Sequence, residues 1–306
     1  MGELAGIYAI MATPFDEAGR LDEASLRTLV EFELERGVHG LTILGQMGEY
    51  HKLADAERER VTAIVLEQVA GRVPVIVGTS HTGTEVVIQL SQSAQRLGAA
   101  GIMVSPPNGA RGEAALLTHF QRVAASVEVP LIVQDEPVMT GVLMPPPLLA
   151  RLVEAIPTLT AIKLEEPPSP QKLSQVLALT GDRVAVFGGL GGLFFLEELR
   201  RGSRGAMTGY AFPEALVEIY AAHVAGDHQR AAAVFYHHLP LIRFEAQVGI
   251  GLGIRKEILR RRGAIRTATV RSPAPAIDAQ TWQELDGLLQ VVAGEALPIL
   301  PAARYS

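Results

Sequence analysis

The chain has no cysteine among its 306 residues, which rules out a disulfide framework and any thiolate metal site. It also lacks a long hydrophobic run: a stretch such as 99–104 falls far short of the roughly 20 apolar residues that a membrane helix needs. Blocks of like charge are missing apart from Arg260-Arg261-Arg262, which reads as the basic end of a helix. With a formal net charge of -6, this argues against nucleic acid as a partner. The residues after Met1 have neither the charged n-region nor the apolar h-region of a signal peptide. What the chain does have, 48% hydrophobic and 20% charged residues, is the balance of a globular protein with a sizeable core. The expectation is a cytoplasmic enzyme that engages neither membrane nor nucleic acid.

Short apolar runs alternate with helical patterns. The first run, 7–11, is closed by Thr13-Pro14, and a helical pattern then opens at Asp22 and passes through Leu26, Leu29, Val30 and Phe32 to Gly37. The unit recurs as 40–44 before a helix over 54–70, and as 73–78 before one over 84–97. Further runs stand at 101–104, 130–134, 160–165, 184–187 and 205–208. Roughly eight such runs, too continuously apolar to have a wet face, predict parallel strands covered on both sides. No G-x-G-x-x-G turn follows the first of them, so the α/β fold expected is a closed (β/α)8 TIM barrel rather than an open doubly wound sheet. The barrel is assigned to residues 1–225. A C-terminal three-helix appendage is assigned to 226–306, with helices at 229–247, 250–262 and 278–292 and Pro273 to Pro275 as linker.

The segment Thr160-Ala161-Ile162-Lys163-Leu164-Glu165-Glu166 sets a lysine in the middle of an apolar run. In a strand, Lys163 and Glu165 share one face while Ile162 and Leu164 take the other. A buried ammonium needs a partner or a task; the plain alternative is an edge lysine snorkelling into water. Active sites of such barrels lie at the C-terminal strand ends. There the chain offers Gly45-Gln46-Met47-Gly48-Glu49, whose glycine-bracketed amides suit an anion, as well as Thr79-Ser80-His81 and Gln134-Asp135-Glu136. It also offers Gly188-Gly189-Leu190-Gly191-Gly192, which could admit a phosphate. Ordinary turns and a structural histidine remain the alternatives for these stretches. His237-His238 falls in the helical tail, so no metal site is expected.

Gly45-x-x-Gly48-Glu49, Pro137-x-x-Thr140-Gly141 and Ile162-Lys163 together resemble the dihydrodipicolinate synthase and N-acetylneuraminate lyase family of class I, Schiff-base barrel enzymes. The resemblance runs the whole length, tail included. It implies that Lys163 forms an imine with a small 2-oxo acid such as pyruvate, that the loop Gln46, Met47, Gly48 and Glu49 holds the substrate carboxylate, and that no separate cofactor is used. It also implies homotetramers built as a dimer of dimers. Most of the family has two hydroxyl residues at Gln46-Met47, a relay tyrosine at Gln134 and, in the synthase, an arginine at Met139. The loop Ser105-Pro106-Pro107-Asn108 likewise lacks the tyrosine that relatives lend to a neighbouring subunit. These departures point away from the synthase and towards a branch similar to L-2-keto-3-deoxyarabonate dehydratase. Val133-Gln134-Asp135, Lys163-x-Glu165, Thr79-Ser80-His81 and Gly205-Ala206-Met207-Thr208-Gly209 resemble that branch, so His81, Gln134, Gly188 and Thr208 join the expected substrate-binding set.

The chemistry has its own logic. A lysine of unperturbed pKa near 10.4 is only about one part in 2,500 free amine at pH 7, so a nucleophilic lysine needs burial. An imine at C2 acidifies C3, and the enamine formed there can expel a hydroxyl from C4. Retro-aldol cleavage instead needs a base on that hydroxyl, the role a relay tyrosine supports. Gln134 cannot titrate, whereas Glu165 can take one proton and return another, so Lys163 and Glu165 are the expected catalytic pair and dehydration to 2-oxoglutarate semialdehyde the expected outcome. A pyruvate-dependent aldolase, a condensing synthase and a non-catalytic 2-oxo acid binding protein are the alternatives.

Overall fold

The computed structural model describes residues 4–293. Eight parallel strands close in sequence order into a barrel, β1 pairing with both β2 and β8. They are β1 (Gly6–Ile10), β2 (Gly40–Ile43), β3 (Val75–Gly78), β4 (Gly101–Val104), β5 (Leu131–Asp135), β6 (Leu159–Leu164), β7 (Ala185–Gly188) and β8 (Gly205–Thr208). The helices are α1 (Glu23–Glu35), α2 (Asp55–Val69), α3 (Thr84–Leu97), α4 (Glu113–Ala124), the single turn α5 (Pro137–Thr140), α6 (Pro146–Ala155), α7 (Ser169–Thr180), α8 (Phe195–Arg200) and α9 (Pro213–Val224). Three more follow, α10 (His228–Glu245), α11 (Gly251–Arg261) and α12 (Ala279–Ala293). The (β/α)8 barrel expected from the apolar runs is therefore what the chain forms. The last part of the expected appendage, 294–306, lies outside the described residues. So do residues 1–3 of the expected barrel segment.

Two apolar layers follow from the strand period of two. Outward side chains such as Leu41, Ile43, Val75, Val77, Ile162 and Leu164 pack against the helices. Inward ones, among them Tyr8, Ile10, Ile76, Met103, Ile132, Ala161, Phe187 and Met207, fill the barrel. Tyr8 meets Phe187 edge-on with ring centroids 5.8 Å apart. Gly40 has to be glycine because a Cβ there would stand 2.3 Å from the Tyr8 ring. Each large aliphatic side chain removed from water in these layers contributes about 1.5–3 kcal/mol.

The helix starts are fixed locally. Asp22 caps α1 by accepting from the Ser25 amide, and Arg266, far along the chain, forks onto the same carboxylate at 2.6 and 2.9 Å. The basic cluster closing α11 is neutralised inside the fold, Arg261 by Glu257 and Asp286 and Arg262 by Glu214. Among the described residues, no helix is long and apolar enough to cross a membrane.

Candidate active site

The register of β5 on β6 sets the centre of the site: Gln134 stands beside Lys163, and Lys163 beside Phe187. Lys163 shares the inward face of Ala161. It is only 4% exposed, on a strand paired along both edges, so it is not a snorkelling edge lysine. Its Nζ lies 2.9 Å from Glu165 Oε2. Glu165 also accepts from Gln134 Nε2 at 2.7 Å and, through Oε1, from the Leu190 amide at 3.2 Å. Room for this carboxylate comes from Gly189, where a Cβ would stand 2.4 Å from Glu165 Cγ.

A second carboxylate, Glu136, belongs to the same group. Its Oε2 accepts from Gln134 Nε2 at 2.9 Å and its Oε1 from Gln46 Nε2 at 3.3 Å. Burial first, then the charge of Glu165, push the Glu136 carboxyl up to about 7, while Lys163 and hydrogen bonds from Gln46 and Ser105 pull the other way. Tyr50 packs here as well, its hydroxyl held above the usual phenol range by burial and by the Glu136 charge. Sequence reasoning named Glu136 in a strand-end stretch without giving it a role, and it missed Tyr50. The alternation that pairs Lys163 with Glu165 also pairs Gln134 with Glu136, so that signal was present. Tyr50 carries none, because two consecutive 3-10 turns bring it in.

The glycine-bracketed loop forms one of these turns, Gln46–Gly48. The Gly48 amide bonds to Gly45 O at 2.9 Å and the Glu49 amide to Gln46 O at 3.0 Å, leaving the Gln46 and Met47 amides outside the turn's own ladder. Met47 packs on the inner barrel cluster, and Thr13 Oγ1 donates to Gly48 O at 2.6 Å. Glu49, left-handed with φ 55, turns its carboxylate away from the centre. There it accepts from Lys256 Nζ at 2.5 Å, Lys52 Nζ at 3.1 Å and the Arg271 amide at 3.0 Å.

A closed barrel with a buried lysine paired to a carboxylate on its sixth strand narrows the comparison with known proteins. The model of the dihydrodipicolinate synthetase family matches residues 3–292. The chain belongs to this family. It is a lyase of the family, 37% identical over 285 residues to an L-2-keto-3-deoxyarabonate dehydratase of Azospirillum brasilense, with 92% of each chain covered. It is 34% identical over 239 residues to a 4-hydroxy-tetrahydrodipicolinate synthase of Syntrophobacter fumaroxidans, covering 77% of this chain and 81% of the other. A dihydrodipicolinate synthase structure from Rhodopseudomonas palustris superposes with a TM-score of 0.88 at 35% identity, over 94% of this chain and 97% of that one.

In this synthetase-family barrel, three more of the expected substrate-binding residues, besides Glu49, face elsewhere. Gly188 follows the inward Phe187 and so lies on the helix side, where a Cβ would stand 1.7 Å from Glu198 Oε2; Gly189 is the glycine that borders the site. Thr208 follows the inward Met207 and points outward, its methyl 3.9 Å from where a Gly192 Cβ would be. His81 is exposed and accepts from the Gly83 amide at 3.1 Å, tying down its own turn. His237 and His238 go separately to Val292 O and the Tyr210 hydroxyl. Asp135, outward on β5, pairs with Lys172 at 2.5 Å, and burial raises its carboxyl to about 6 against that pull.

Proposed function

We propose that this lyase dehydrates a 2-keto-3-deoxy sugar acid, L-2-keto-3-deoxyarabonate giving 2-oxoglutarate semialdehyde. The observation that carries the reading is the composition of the group around Lys163: a carboxylate, Glu165, at 2.9 Å, and an amide, Gln134, at the position beside the lysine where the relay tyrosine is expected in relatives. In this reading the Lys163 amine adds to the C2 ketone and water leaves, giving an iminium that serves as electron sink with no separate cofactor. Glu165 takes a proton from C3. The enamine electron pair then forms the C3–C4 double bond as the C4 hydroxyl departs with a proton, as water. Loss of a C5 proton and return of one to C3 yield a C5 enol, which becomes the aldehyde, and hydrolysis of the imine releases Lys163. The Gln46 and Met47 amides, outside the turn's own ladder, suit the C1 carboxylate, and Glu49 holds their turn from behind. The 37% identity to a dehydratase over 92% of the chain supports the same substrate.

The synthase relatives support a second reading, in which the imine serves carbon–carbon chemistry. The test is to incubate the protein with L-2-keto-3-deoxyarabonate and assay separately for semialdehyde and for pyruvate. Semialdehyde is expected; pyruvate as product moves the protein to the aldolases. Borohydride reduction with pyruvate is expected to fix an adduct on Lys163, and an adduct elsewhere removes the imine mechanism. The homotetramer belongs to the same proposal: Val138, Met139 and Leu143, exposed beside the β5 end, offer apolar surface for a subunit contact that light scattering would detect.

A further inference from the structure

Elimination needs two proton transfers, one off C3 and one onto the departing hydroxyl. The site holds two carboxylates in unlike settings. Both oxygens of Glu165 are engaged, by Lys163 and Gln134 on one and by the Leu190 amide on the other. Glu136 is more deeply buried, 4% exposed against 16% for the Glu165 side chain, and meets only neutral donors, the amides of Gln134 and Gln46 and the Ser105 hydroxyl. The two are joined through a single atom: Gln134 Nε2 reaches Glu165 Oε2 at 2.7 Å and Glu136 Oε2 at 2.9 Å, one amide hydrogen for each. A glutamine can hold two carboxylates at a fixed spacing without competing for the proton, which a tyrosine at the same place could not do.

We propose that Glu136 is the acid of the dehydration, delivering its proton to the C4 hydroxyl while Gln134 holds it in register with Glu165. This rests on the dehydration reading above. The Glu136 O–H bond breaks as a new O–H bond forms on the C4 oxygen, and the C4–O pair leaves as water. Glu136, now a carboxylate, takes the C5 proton in the next step while Glu165 returns its proton to C3, so both groups end as they began. The environment suits the division: burial and the Glu165 charge hold the Glu136 carboxyl at about 7, where it can keep a proton at neutral pH and still release it. The groups facing it are Glu165 and Lys163 from β6 and its end and Tyr50 from the loop after β2.

The test uses Glu136→Gln and Glu136→Asp in the full chain. Turnover of L-2-keto-3-deoxyarabonate is expected to fall about 10²- to 10⁴-fold in Glu136→Gln, and less in Glu136→Asp. Exchange of the pyruvate methyl protons with D2O needs only Lys163 and Glu165, so it should stay within about threefold of wild type, which also shows that the variant folds. A 4-fluoro analogue of the substrate, whose leaving group departs without a proton, should bring the Glu136→Gln deficit to within about tenfold. Wild-type kcat/KM should decline above about pH 7 as Glu136 deprotonates, and this limb should vanish in Glu136→Gln. Unimpaired dehydration in Glu136→Gln, or equal losses in dehydration, fluoride elimination and exchange, overturns the assignment alone. If the wild type exchanges pyruvate protons yet forms no semialdehyde, the dehydration reading fails and takes the assignment with it.

Discussion

Replacing Lys256 with methionine should loosen the Gln46–Gly48 turn, the proposed seat of the substrate carboxylate, from a distance. Lys256 and Glu49 are both fully buried, and the ammonium spans Glu49 Oε1 at 2.5 Å and Thr269 O at 2.8 Å. Burial pulls the Lys256 ammonium down to about 8 even against the attraction of Glu49, so the loss of hydration outweighs the pairing here. Removing one partner of a buried pair costs about 3–5 kcal/mol, because the other charge is left behind. Glu49 would keep Lys52 and the Arg271 amide, which sets the expected loss at the low end, about 3 kcal/mol. With an m-value of ~3 kcal/mol/M, the urea midpoint should fall by about 1 M. KM for a 2-oxo acid should rise, while borohydride trapping at saturating pyruvate should persist, since Lys163 is held by another strand. The double variant Glu49→Gln/Lys256→Met should recover part of the stability, because no uncompensated buried carboxylate remains and Lys52, 12% exposed, can turn to solvent. A midpoint within about 0.2 M of wild type, together with an unchanged KM, would refute the idea that this pair anchors the loop.

Glu165→Gln should lower turnover by about 10²- to 10⁴-fold while leaving the pyruvate adduct on Lys163 intact, and wild-type-like turnover would remove Glu165 from the chemistry. Gly189→Ala places a methyl 2.4 Å from Glu165 Cγ, and the displacement should cost about 10²-fold in kcat with little change in urea midpoint; an unaltered kcat would mean that the observed Glu165 position is not the working one. Asp22 gives a pH signature. Burial opposes its charge, but hydrogen bonds from Arg266 and Ser25 prevail and bring the carboxyl from 3.8 to about 2. A folded pKa below the unfolded one adds stability above 3.8 that is lost as pH falls towards 2. Asp22→Asn should therefore cost about 1–2 kcal/mol at pH 6, discounted for the exposed Arg266, and the gap from wild type should close near pH 2. A gap that persists there would assign the loss to packing.

The strands were legible because each is a mostly apolar run, and 101–104 and 205–208 match β4 and β8 in full. Lys163 and Glu165 could be read as one face from alternation alone, and the 2.9 Å contact agrees. The same rule, applied at the strand ends, would have preferred Glu136 to a bystander role and set Gly188 and Thr208 outside, since each follows an inward neighbour. The partners of Glu49 were not legible. Lys256 lies 207 positions away and is brought in by the closing of the tail over the barrel, which no local pattern encodes. Tyr50 was hidden for a related reason: its position depends on how two short turns stack, not on a period.

The 207-residue reach of Lys256 to Glu49 also bears on the order in which the molecule comes into being. A nascent chain that has emerged as far as β8 carries every strand of the barrel and both halves of the Lys163–Glu165 pair. Glu49, however, must wait for α11 and for the Arg271 amide behind it before its charge is matched on the inner side. Until then the turn that presents the Gln46 and Met47 amides rests on Thr13 and the inner barrel cluster without its Lys256 anchor. Joining ends so far apart adds only a slowly growing entropic term, about (3/2)RT ln n, so the delay is one of synthesis more than of thermodynamics. On the proposed reading, a truncated or still-growing chain can possess its reactive lysine while the seat for the substrate carboxylate is still loose, so full affinity for 2-oxo acids arrives only with the last helices.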